Sequence, residues 1–79
     1  MKMAYRLFIY IKNEDSFEEE HIGYYHSYDN AKQCFDNEIV DFDKNNLTTT
    51  CDGSLYYQYN RNEVLCLEVM YFEDIKGGE

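Results

Sequence analysis

The sequence predicts an α+β domain in two layers, ordered β-β-α-β-β, with a four-stranded antiparallel sheet and one helix on one face. Two segments alternate apolar and polar residues with the strand period of two, one near each end of the chain. Between them lies a segment with helical spacing, opened by a capping residue. One helix covers only one face of such a sheet, so the other face is left open.

The first strand spans Ala4 to Lys12, with Tyr5, Leu7, Ile9 and Ile11 on one side and Arg6, Phe8, Tyr10 and Lys12 on the other. "NEDSFEEE" reads as a charged connection, with five acids in the seven residues from Glu14 to Glu20. A second strand, "HIGYYHS", sets Ile22, Tyr24 and His26 opposite His21, Gly23 and Tyr25, completing a hairpin. Ser27 is a good N-cap, and Asp29 in the first turn complements the helix dipole.

The helix is expected to run to about Lys44 and to end at "KNN". Tyr28, Ala31, Cys34, Phe35, Ile39 and Phe42 share its apolar stripe. Asp29, Asp36 and Asp43 recur at every seventh position, so over one helix they form a line of carboxylates with steps of about 10.5 Å. Val40 lies on the same outer face, and Glu38 falls at the edge of the apolar stripe. "LTTTCDG" reads as a loop closed by an Asp52-Gly53 turn. "SLYYQYN" is the third strand, "RN" a tight turn, "EVLCLEVMYFEDI" a long fourth strand, and "KGGE" a frayed end. With no repeat or linker, residues 1–79 form one domain.

Leu7, Ile9, Ile11, Leu65, Leu67 and Val69 are expected to meet the helix. The open face then carries Arg6, Phe8, Tyr10, Tyr56, Met70 and Phe72. These rings either pair across strands to stabilise a thin sheet or form an interface with a partner or a second copy. Phe8, Met70 and Phe72 lack the polar handle of tyrosine, which favours the interface.

Composition narrows the function. Apolar residues at 44 % and aromatics at 18 % argue for a folded core rather than an acidic disordered tail. A formal charge of −9, from sixteen acids against seven Lys and Arg, disfavours nucleic-acid backbones and anionic membranes. It favours a basic protein partner, including one that itself holds nucleic acid, although net charge also serves solubility. No run approaches the ~20 apolar residues of a membrane span, and three widely spaced cysteines make no disulfide framework, so the expected location is the cytoplasm.

Chemistry leaves little trace. His21, His26, Cys34, Cys51 and Cys66 include no CxxC or HxxxH pair, so no metal is expected. Cys51 with His26 is the one conceivable nucleophile pairing, with no nucleophile elbow or phosphate loop beside it. Neither an enzyme nor a cofactor is expected. What remains is acid plus tyrosine: carboxylates that can occupy phosphate sites, and rings that supply rigid contact area.

In size, acidity, its single β-β-α-β-β domain and the "SYDNAKQCFDNEIVDFD" stripe, the chain resembles small acidic phage and mobile-element proteins that disarm bacterial defence, the anti-CRISPR and DNA-mimic inhibitors. That resemblance implies stoichiometric inhibition of a Cas effector or surveillance complex, with Asp29, Asp36, Asp43 and the Glu18, Glu19, Glu20 run standing in for phosphates. A homo-oligomeric structural or adaptor protein and an immunity protein for a basic nuclease toxin are the alternatives.

Overall fold

A computed structural model of the chain describes residues 2–72, with side chains over residues 3–70. It is α+β, with one α-helix over an antiparallel sheet, but the sheet has five strands rather than four. The elements are β1 (Lys2–Lys12), β2 (Phe17–Tyr25), α1 (Tyr28–Asn37), a 3₁₀ turn (Lys44–Asn46), β3 (Leu47–Thr49), β4 (Leu55–Gln58) and β5 (Glu63–Phe72). The strand order is β2-β1-β5-β4-β3, so the two longest strands lie together in the centre. The expected continuation of the last strand to residue 75 and the frayed "KGGE" lie outside the described residues.

Burial follows the two-residue period. Leu7 on β1 pairs with Leu67 on β5, Ile9 with Leu65, and Leu55 and Tyr57 of β4 extend the same layer. Leu7, Leu65 and Leu67 are wholly buried, packed with Ala31 and Phe35 of α1. Each such side chain contributes roughly 1.5–3 kcal/mol by leaving water.

The helix begins where expected, with Ser27 Oγ accepting from the Asn30 amide at 3.3 Å. It ends seven residues earlier than Lys44. The Glu38 amide already bonds to Cys34 and Phe35 carbonyls, and Ile39 bonds to Asp36 in a tightened last turn. The chain then leaves the helix because the sheet supplies better partners. Phe42 stacks on Tyr57 with ring centroids 5.5 Å apart, the Tyr57 hydroxyl donates to the Asp41 carbonyl, and the Tyr59 hydroxyl donates to the Glu38 carbonyl. Tyr57 of β4 and Tyr59 just beyond it thus satisfy two carbonyls of the segment that follows the helix, Glu38 being one that a longer helix would have satisfied itself.

Two further differences concern strands. "LTT" pairs with β4 as an edge strand instead of remaining a loop. At the other edge, β2 starts at Phe17, so Glu18, Glu19 and Glu20 belong to the strand while Glu14 and Asp15 stay in the connection. Ladder pairing with β1 skips Ile22, which makes a bulge opposite Leu7/Phe8. Ile22 and Tyr25 turn to the helix side and Tyr24 to the other, so Ile22 shares its side with Tyr25 rather than with Tyr24 as expected. Gly23 permits this closely, since a Cβ there would stand 2.9 Å from the Tyr25 hydroxyl.

At the far side of the sheet, Gly53 takes a positive φ of 94° in the turn after β3. The Asp52 carboxylate accepts from the Thr50 hydroxyl and, at 2.9 Å, from the Ser54 amide, which holds its pKa below the usual value. Ser54, itself buried, accepts from the Val69 amide through Oγ at 3.0 Å. A side chain so completes the ladder where β4 has run out.

Candidate protein-interaction surface

The expected line of three aspartates is not one line. Asp29 and Asp36 lie on α1, whereas Asp43 lies beyond its end and caps the 3₁₀ turn, its Oδ1 accepting from the Asn45 amide at 3.0 Å. Asp36 is engaged by Lys32 one turn earlier, at 3.0 Å. Val40 is in the connection rather than on a helical outer face, and is 91 % exposed beside Asp41. Asp36 and Asp43 are thus each engaged locally, and the third member of the sevenfold spacing falls outside the helix that carries the first two.

The second group of expected residues does come together. Cross-strand pairs Ala4–Met70, Arg6–Glu68, Phe8–Cys66 and Tyr10–Val64 place Arg6, Phe8, Tyr10 and Met70 on the side away from the helix, and the Tyr56–Cys66 pair adds Tyr56. Phe72 closes β5 opposite Lys2, and its side chain lies outside the described residues.

This open side is drier than an uncovered sheet would suggest. Phe8 and Cys66 are each only 4 % exposed. Above Phe8 lies the Arg6 guanidinium, 3.9 Å from the ring centroid, in a cation–π contact. Arg6 is held there by an ion pair and hydrogen bond to Glu19, with Glu68 at 3.9 Å on its other side. The Glu19 bond above all raises the pKa of Arg6. Burial pushes the Cys66 thiol up to about 11 and raises the Tyr56 hydroxyl as well.

Residues of β2 complete the surface, and these the sequence reading missed. Phe17 stacks on Tyr10 with centroids 5.2 Å apart, and Tyr24 lies against His21 at 4.6 Å. Phe17 is 58 % exposed and Tyr24 60 %. The signals were a phenylalanine inside the acid run and a glycine inside a strand, which marks a bulge. Register assigns the acids individually: Glu19 opposite Tyr10 on the open side, Glu18 and Glu20 opposite Ile11 and Ile9 on the helix side. Eleven of the thirteen acids among the described residues are exposed, the half-buried Glu63 and Glu68 being the others.

Cys51 and His26 are not brought together. Cys51 stands exposed in the turn after β3 and His26 follows β2, at opposite edges of the sheet. Among the described residues no cluster of three His, Cys, Asp or Glu could hold a metal, and no helix is long and apolar enough to cross a membrane. An apolar groove of about 270 Å³ runs beside the end of α1, between Phe35, Ile39, Phe42 and Leu47, with the Lys32–Asp36 pair at its rim. It presents no nucleophile.

These features define a small two-layer α+β domain with an acidic edge strand and an aromatic open face. The chain matches no protein-family model, no curated protein and no solved structure.

Proposed function

We propose that this protein is a non-enzymatic inhibitor that binds a basic, nucleic-acid-handling protein, such as a CRISPR-Cas effector or surveillance complex, and competes with its nucleic acid. The observation that carries this reading is the meeting of acids and exposed rings on β2. Phe17 and Tyr24 are exposed on the open side with Glu19, and Glu18 and Glu20 project from the helix side of the same edge strand. Charge of one sign steers a basic surface into encounter, and rings at the same place hold it after contact. The acid contribution comes from the β2 edge rather than from Asp29, Asp36 and Asp43 in line.

The test is retention of basic nucleic-acid-binding proteins on the immobilised chain from bacterial lysate, followed by elution with salt or with duplex DNA. Retention at low salt that either eluent releases supports the reading, because exposed charges are screened over about 10 Å at 0.1 M. Retention of no such protein, or retention indifferent to both eluents, overturns it. A two-fold dimer through the open face is the second reading, favoured by the exposure of Phe17 and Tyr24. A mass of one chain at high concentration would exclude it.

A further inference from the structure

Of the two edges of the sheet, β3 offers three residues and β2 offers nine. Among the described residues no hydrogen bond reaches the outward amides and carbonyls of β2. Such an edge is a template for another strand, and proteins usually blunt it with lysine, proline, a bulge or brevity. Here the bulge falls at Ile22, leaving Phe17–His21 in unbroken register. That stretch contains the three consecutive glutamates.

The charges select the occupant. Glu19 is already engaged by Arg6, whereas among the described residues Glu18 and Glu20 meet no cation. Both point to the helix side, two residues apart, as neighbours of alternate side chains on any strand laid alongside. On the opposite side, the same added strand would run beside exposed Phe17, whose ring is backed by Tyr10 of β1. A second copy fits poorly: antiparallel pairing about Glu19 sets Glu18 against Glu20 and Glu19 against itself, with like charges directly opposed.

We infer that β2 accepts an added strand from its partner, a segment alternating basic with apolar residues, whose basic side chains flank Glu18 and Glu20 and whose apolar ones cover Phe17. Main-chain hydrogen bonds then supply the attachment and the alternate side chains its selectivity. The inference rests on the binding-protein reading, and names how the partner is held.

A peptide alternating lysine and valine is the probe, with a second peptide of equal charge in which two of the valines are replaced by proline. Binding is read by titration and by amide exchange of Phe17–His21. The alternating peptide should bind and slow exchange of those amides, and the proline peptide should bind at least about tenfold more weakly, since it cannot donate to the ladder. The double variant Glu18→Lys with Glu20→Lys should weaken the alternating peptide by about tenfold or more, while Glu14→Lys with Asp15→Lys, of the same net charge, should change it little. Equal binding of both peptides, or equal loss in both variants, overturns strand addition while leaving an electrostatic inhibitor intact. Binding of neither peptide also overturns strand addition. Salt-dependent retention of a nucleic-acid-binding protein judges the broader reading separately.

Discussion

On the helix side of the sheet, Leu7, Leu65 and Leu67 are removed from water by a second layer, Ala31 and Phe35 of α1. On the other side, Phe8 and Cys66 are almost as dry, with no second layer above them among the described residues. There the cover is one arginine over a ring, with aromatic pairs on the β2 side. The first face is held by interdigitated apolar volume, which tolerates no gap. The second is held by a charged group whose position depends on Glu19 and Glu68, both at the surface. Water exclusion alone therefore does not distinguish a core from a binding face. What differs is whether the cover can be displaced.

Truncation on the helix side should have the largest effect. Phe35→Ala removes the largest fully buried side chain and should cost about 3–5 kcal/mol, most of the stability of a domain this small. Urea unfolding measures it, and a cost near 1 kcal/mol would mean that the two faces are packed alike. Next comes the arginine. Arg6→Ala should cost about 1 kcal/mol, whereas Arg6→Met, which keeps an apolar cover over Phe8, should restore part of it. Equal losses in both variants would assign the effect to the Glu19 and Glu68 pairing instead.

The smallest effect on folding is the most direct report on the open face. With its pKa raised to about 11 by burial, Cys66 should be the last thiol to alkylate at pH 8 and exposed Cys51 the first. Arg6→Ala should speed Cys66 labelling by uncovering it. Because the folded value lies above the ordinary 9.0, the neutral thiol contributes stability below pH 9 that is lost as pH rises toward 11. Fast labelling of Cys66 in the parent protein would mean that the arginine cover opens readily by itself.

Much of this was legible in the chain. The central strands follow from alternation, and the start of the helix follows from Ser27. The open-face positions of Arg6, Phe8, Tyr10, Tyr56 and Met70 needed only the period of two. The end of the helix was not legible, because Ile39 and Phe42 continue its apolar spacing while what stops it is the hydroxyls of Tyr57 and Tyr59, in and just past a strand further along the chain. Nor was the start of β2: an edge strand exposes both of its faces, so three glutamates carry no penalty and no alternation. The aspartate line failed for the same reason as the helix end. Its third member depended on a turn that tertiary contacts remove.

Ile22 is supernumerary in the ladder: Gly23 pairs with Leu7 and His21 with Phe8, so the partners of β1 run on as though it were absent. Losing one residue from a strand ordinarily turns every side chain beyond it to the wrong side. Loss of this one would leave all the assigned partnerships in place, costing only the packing of its side chain and some local twist. The reading frame of the acidic segment is thus insulated from the rest of the hairpin. Length can change at this one point without Glu18, Glu19 and Glu20 exchanging sides.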